Sequence, residues 1–321
     1  MNRDEVDKRY LRLNKMFCMC AGIWPYQTNR NRNLLTSVMY VLALSSVSTQ
    51  FARIVVFFSV DIIIEQCPFF LAACGVIIKH VNYRLNHDKL TSLFNDVYDD
   101  WEVDRSPGEI EIMDVYAKKG GLFTMIYLGT AIFGSIVFIM LPTAAGMIEY
   151  FGASENETVH RVYIYPAYYP FDETRYYIYF WTHMAVVIGT VALVFTACDT
   201  LYMYCVQHAC GLLAIAGYRF KSAVENLAYD DKKSDKTMGE VYKNVCFSIQ
   251  GHKHALRLVT LFFVLVISAF SITLVKTSTM EVGLEFYKYC GFLVVQLIHL
   301  FFLTVQGQFV QNAYDQIYDE M

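Results

Sequence analysis

Six apolar runs, at residues 34–60, 62–81, 120–148, 176–206, 255–275 and 283–310, are each long enough to cross a bilayer and nearly free of charge. A hydrocarbon core about 30 Å thick takes roughly 20 apolar residues per helix. The pattern predicts an all-α fold, a polytopic transmembrane helix bundle carried on a single domain, residues 1–321. The link between the first two runs is almost absent, so they pair as a tight helical hairpin. After the second run, Leu90, Leu93, Phe94 and Val97 recur at helical spacing and predict an amphipathic helix. Ser106-Pro107-Gly108 ends it, and a further helix over 109–118 leads into the third span. The fourth run continues past the membrane edge through Leu212, Leu213, Ile215 and Ala216. A charged turn at 230–236 follows, and Val241, Val245 and Ile249 resume a stripe into the fifth span. Six spans return both termini to the same side.

Charge then orients the bundle. Arg3, Lys8, Arg9, Arg12 and Lys15 open the chain, and Arg84, Lys89, Arg105, Lys118, Lys119, Arg219, Lys221, Lys232, Lys233 and Lys236 crowd alternate loops. The opposite loops hold Arg161, Arg175 and Lys276. Basic loops stay in the cytoplasm, so the N-terminus is cytoplasmic, and the first 33 residues are too polar for a cleaved signal peptide. The acceptor triplet Asn156-Glu157-Thr158 falls outside on this orientation, where glycosylation of Asn156 is expected. The same outer loop, 149–175, carries Tyr150, Tyr163, Tyr165, Tyr168 and Tyr169, with Pro166 and Pro170 preventing a continuous helix. It either folds over the outer mouth of the bundle or forms an interfacial aromatic belt.

Composition narrows the function. The chain is 55% hydrophobic and 17% charged, against about 45–50% and 25% for soluble domains, so a soluble enzyme is excluded. A net charge of -4 without a basic stripe leaves no nucleic-acid partner. Nine cysteines, mostly in spans or on the reducing side, read as free thiols. There is no phosphate loop, no His-Glu-x-x-His and no nucleophile elbow. His252-x-His254 and His208-x-Cys210 lack further ligands, so neither a metal nor any cofactor is expected. No potassium-filter sequence and no arginine ladder is present.

Charges inside spans are costly and each needs a reason. Arg53 and Lys79 lie toward span ends and are expected to reach the head groups. Lys288 sits at the edge of the sixth run, and Asp199, deeper in the fourth, is expected to face protein. Phe180, His183, Met184, Val187 and Val191 form one stripe on the outer half of span four. Phe70, Ala73, Val137, Met140 and Tyr287 lie at matching depth on spans two, three and six. Together these surfaces are candidates to enclose an apolar pocket for a small ligand; ordinary helix packing is the alternative use of the same residues.

Specific residues then suggest a family. Gly22-Ile23-Trp24-Pro25 stands before span one, and Asp99-Asp100-Trp101 precedes Tyr116-Ala117. Asp199 with Leu201-Tyr202 leads to Gln207-His208-Ala209-Cys210-Gly211-Leu212 and Gly217-Tyr218-Arg219, and His252 and His254 stand before span five. In this order the chain resembles the insect odorant receptors, the hymenopteran-type ligand-tuned set in particular. The resemblance implies a plasma-membrane subunit of sensory-neuron dendrites that binds small volatile ligands. It also implies a ligand-gated cation channel formed as a heterotetramer with an odorant co-receptor subunit. The family has seven spans; Gly307-Gln308 and residues 314–321 resemble the approach to the seventh, which implies a C-terminal truncation before the helix that lines the pore. A gustatory receptor-type channel subunit and a secondary transporter are the competing readings. The transporter reading lacks internal repeats and broken midplane helices. A G-protein-coupled receptor conflicts with the cytoplasmic N-terminus.

Overall fold

Backbone groups surrounded by lipid have only one another to bond, so apolar runs of this length fold as helices. The computed structural model describes residues 1–152, 162–227 and 284–320, and every regular element among them is helical. A short α1 (Arg3–Val6), a π-helical turn (Asp7–Leu11) and α2 (Arg12–Ala21) precede α3 (Asn29–Val56), α4 (Val60–Leu85), α5 (His87–Glu102), α6 (Pro107–Gly152), α7 (Glu173–Leu227) and α8 (Leu284–Glu320). Among the described residues, five helices are long and apolar enough to cross a membrane: α3, α4, α6 over Pro107–Ala144, α7 over Glu173–Arg219 and α8 over Tyr289–Asp315. The chain is therefore a multi-pass membrane helix bundle. The apolar run at 255–275, the stripe Val241, Val245 and Ile249, the pair His252 and His254, and the Asn156 triplet lie outside the described residues.

Capping chemistry sets boundaries that hydropathy does not see. The first hairpin turns at Phe57, Phe58 and Ser59, earlier than the apolar run ends. Ser59 is extended, and its hydroxyl oxygen accepts the Ile62 N–H at 3.2 Å, starting α4 with Asp61 in its first turn. Helix α6 starts at Pro107, where a missing N–H costs nothing. Its capping box is reciprocal: Ser106 N–H donates to Glu109 Oε2 at 3.0 Å, and Glu109 N–H donates to Ser106 Oγ at 3.4 Å. Glu109 also accepts from Arg219 Nε of α7. Asp100 of α5 lies 2.9 Å from His208 Nε2, tying α5 to the same end of α7.

The N-terminal segment packs beneath the bundle. Leu11, Cys18 and Trp24 are buried with Phe94, Val97 and Trp101 of α5 and with Leu201 and Tyr204 of α7. Tyr10 stacks on Trp101 at 5.0 Å, and Trp24 meets Phe94 edge-on at 5.2 Å. Asp7 is buried here but fully engaged, accepting from Tyr98 and from Lys15, each at 2.6 Å. Burial first, then the Arg32 guanidinium, holds His87 below the usual imidazole range, so the neutral ring accepts from Arg32 at 2.9 Å. Gly22 ends α2 at φ +72°, in the left-handed region. An added Cβ there meets Thr36 Oγ1 at 2.9 Å and the Arg32 carbonyl oxygen at 3.1 Å. Gly22→Ala is accordingly expected to lower stability by about 1–3 kcal/mol. Thermal unfolding of the purified protein in detergent checks it, and an unchanged midpoint contradicts it.

Ring contacts give the helix directions. Phe138 lies beside Phe292, Tyr127 beside Phe302 and Phe123 beside Phe309, so α6 and α8 are antiparallel. Asp199 faces His299, and Val206 and Cys210 cluster with Ala313, so α7 and α8 run parallel. Among the described helices, α6 and α7 make the most extensive contact. Near mid-bundle the approach is close: a Cβ on Gly75 of α4 would come within 2.8 Å of the Phe195 ring of α7.

Candidate functional site

At the end of the bundle remote from the N-terminus, residues 162–170 turn back onto the helices. Ile164 and Tyr165 are buried there. Extended backbone needs partners when it is buried, and the helix ends supply them. Tyr168 N–H donates to the Thr49 carbonyl at 3.1 Å, and Gln66 Nε2 donates to the Pro166 carbonyl at 2.8 Å. Gln66 Nε2 also donates to Gln50 Oε1 at 3.0 Å, and Gln50 Nε2 donates to Ser46 Oγ at 2.9 Å. Ser46 Oγ in turn lies 3.3 Å from the Tyr165 hydroxyl. Arg53 donates to Glu65 at 3.1 Å and to Gln66 Oε1 at 3.2 Å. Of the two sequence expectations for the tyrosine-rich segment, its described part takes the first: it is a cap folded over the bundle.

Beneath the cap lies a cavity of about 550 Å³, inside the range of ordinary small-molecule sites. Helices α4, α6, α7 and α8 form its walls, and Ser46, Gln50 and Tyr165 contribute at the cap end. The walls are almost wholly apolar: Phe69 on α4, Phe138 on α6, Val191 on α7 and Phe292 on α8 are representative. Phe69 and Phe292 are 5.5 Å apart, centroid to centroid, and Phe69 also stacks toward Tyr165 at 6.1 Å.

A charged layer closes the opposite end. Lys79 of α4 pairs with Asp199 of α7, whose other oxygen accepts the Tyr127 hydroxyl of α6 at 2.8 Å. The same hydroxyl lies 2.8 Å from His299 Nδ1 on α8, and Lys79 Nζ sits 4.7 Å from the Phe195 ring centroid. Asp199 is 4% exposed and the Lys79 side chain 11%. All four wall helices thus meet at one carboxylate, and Tyr127, Phe195 and His299 line both the cavity and this layer. Asp199 faces protein as the sequence requires of it. Lys79 differs from the snorkelling expectation, because a buried carboxylate across the helix interface holds its ammonium more strongly than a distant head group. Arg53 differs likewise and pairs with Glu65; the Lys288 side chain lies outside the described residues.

The sequence candidates distribute over three places. Ala73, Val137, Val187 and Tyr287 lie on the cavity wall. Phe180, His183 and Met184 lie in the layer that holds the cap. Phe180 stacks on Tyr169 at 4.1 Å, His183 lies 2.8 Å from both the Tyr169 hydroxyl and Ser45 Oγ, and Met184 is fully buried beside Ile164 and Tyr165. Phe70 is partly buried next to the wall residue Phe69, and Met140 is 55% exposed and off the wall. Periodicity alone did not single out Ser46, Gln50, Tyr127, Thr130, Gln296 and His299, which supply polar atoms to the wall. The signal was available: each pair stands three or four residues apart within an apolar run, and such a polar stripe faces protein, not lipid. Among the described residues there is no cluster able to hold a metal ion, and the cysteines described are free.

Comparison with known proteins follows this geometry. The family model described as 7tm Odorant receptor matches residues 59–321. No curated protein matches the sequence closely enough to count. The structure of the insect olfactory receptor OR5 from Machilis hrabei is similar with a TM-score of 0.78 at 12% identity, covering 97% of this chain and 81% of that one. The same receptor in complex with eugenol is similar with a TM-score of 0.74 at 13% identity, covering 93% of this chain and 79% of that one. At these identities the likeness speaks for the fold.

Proposed function

We propose, since this chain belongs to the 7tm odorant receptor family, that it is a ligand-tuned receptor subunit that takes a small volatile molecule into the cavity between α4, α6, α7 and α8 and gates a cation channel with a co-receptor subunit. The observation that carries the reading is the apolar cavity of about 550 Å³ beneath the cap, walled by membrane-spanning helices and open in part between them. Apolar walls reward burial of a hydrophobic ligand at about 25 cal/mol per Å², without demanding a unique hydrogen-bond pattern. One methylene more or less then changes affinity by only ~1–3 kcal/mol, so tuning is broad. A solved receptor of similar fold holds eugenol, a ligand of the size and polarity expected for this cavity. The basic loops support a cytoplasmic N-terminus with the cap on the opposite side, where volatile ligands arrive; the plasma membrane of sensory dendrites is the setting that the family implies.

Gating follows as a population shift. A ligand that contacts α4, α6, α7 and α8 at once binds one arrangement of these helices more tightly than another, and the difference in affinity is the energy available for opening. The Lys79–Asp199–Tyr127–His299 layer is the element through which the four helices sense one another. Co-expression with a co-receptor subunit tests the reading. Volatile ligands are expected to evoke an inward cation current that is absent when either subunit is omitted. A surface-exposed pair that never conducts, whatever the ligand, contradicts it.

A further inference from the structure

The cavity is closed in two different ways. Toward the cap it is closed by hydrogen bonds: Gln66 holds the Pro166 carbonyl, Tyr168 N–H donates to the Thr49 carbonyl, and the Tyr169 hydroxyl meets His183. Toward the lipid the closure is side-chain packing, and it is uneven. On α7 every wall residue is buried or half-buried, and on α4 Ile78 alone among the described wall residues is exposed. On α6 and α8, Phe133, Val137, Tyr287, Val294 and Val295 line the cavity and are exposed as well. The thin side is therefore the seam between α6 and α8. Ring pairs bracket it, Phe138 with Phe292 toward the cap and Tyr127 with Phe302 away from it. Between these pairs a Cβ on Gly134 would come within 2.9 Å of Val295, while one turn away on α8 Gly291 leaves open space. Val295 is thus the side chain that shuts the seam. Tyr127 and His299, hydrogen-bonded across the two helices, lie farther inward, seven residues from Gly134 along α6 or about 10 Å. Contact at Val295 itself is apolar.

We propose that volatile ligands reach the cavity from the bilayer, through the α6–α8 seam, with Val295 against Gly134 as the gate. The proposal rests on the cavity reading above and deepens it by giving the site its entrance. An apolar molecule arriving from outside dissolves in hydrocarbon before it meets the protein. Through the seam it moves from lipid to cavity past apolar side chains. Entry through the cap breaks hydrogen bonds and leaves their buried groups unpaired. A turn of the Val295 side chain, or a small parting of α6 from α8, opens the seam and breaks none.

The test follows the exchange of 2-(4-fluorophenyl)ethanol between free and bound states by fluorine NMR, on the full chain in nanodiscs with empty nanodiscs as the reference. A gate changes entry and exit together and leaves the dissociation constant alone; a residue that only shapes the cavity does not. Gly134→Cys joined with Val295→Cys brings two thiols within disulfide reach across the seam. Oxidation of this pair is expected to slow binding and release together by at least about tenfold at unchanged affinity, and reduction to restore both. Wild-type protein taken through the same oxidation controls for the native cysteines. Val295→Ala, which trims the gate, is expected to speed both rates severalfold, and it carries the test if the cysteine pair fails to fold or to cross-link. Rates unmoved by the cross-link or by Val295→Ala, or an affinity that shifts while the rates hold, overturn the proposal and leave the cavity reading intact. Absence of any bound signal with the wild-type chain overturns the cavity reading and this inference with it.

Discussion

Asp199→Asn is expected to destabilise the protein by about 3–5 kcal/mol, the cost of deleting one member of a buried ion pair. The replacement removes the charge that holds Lys79 across the α4–α7 interface and weakens the acceptor for the Tyr127 hydroxyl. Lys79→Met is expected to do comparable harm from the other side. Joining Lys79→Met with Asp199→Asn is expected to cost much less than the sum of the two single losses, because neither residue then leaves a charge behind. Thermal unfolding in detergent and the amount reaching the cell surface both report it. Strictly additive losses would mean that the two charges do not act as a pair.

Gly291→Trp is expected to abolish ligand binding, with a loss of at least about 100-fold, while the protein still folds. Gly291 stands among Tyr287, Val294, Val295 and Ile298, all on the cavity wall, and a Cβ added to it meets nothing within 4 Å. An indole there extends from that open space into volume that the ligand needs; losing a glycine from a helix interior also favours the helix, by roughly 0.5 kcal/mol. The contrast is Gly134→Leu on α6, where a Cβ would come within 2.9 Å of Val295. That change is expected to push α6 from α8 and lower the unfolding midpoint. Ligand titration of both variants, alongside their thermal unfolding, separates cavity filling from helix displacement. Undiminished binding to Gly291→Trp contradicts the placement of the ligand.

Much of this architecture was legible because lipid imposes few solutions on a chain. Charge-free runs announce helices, and Leu90, Phe94 and Val97 mark α5 by their spacing. Asp199 deep in an apolar run announced that it faces protein. What remained hidden depends on contacts between distant segments. Lys79 looked like a snorkelling residue because its partner lies 120 positions away. His183 looked like a ligand contact because a histidine on an apolar stripe invites that reading, but Tyr169 and Ser45 engage both of its nitrogens. Phe69 on the wall and Phe70 off it differ by one step of 100° around the helix, finer than periodicity resolves when both neighbours are apolar. The cap was half visible: its prolines excluded a helix, yet only the hydrogen bonds from Gln66 and Tyr168 fix where it sits.

Photolabelling addresses the ligand's place most directly. A diazirine analogue of 2-phenylethanol, irradiated with the purified chain and mapped by mass spectrometry, is expected to mark cavity-wall residues such as Phe69, Phe138, Val191 and Phe292, with the marks lost when unlabelled alcohol is in excess. Marks confined to exposed positions such as Leu122, Met140 and Ile178, and insensitive to competitor, would show that the molecule dissolves in lipid around the bundle and never enters it.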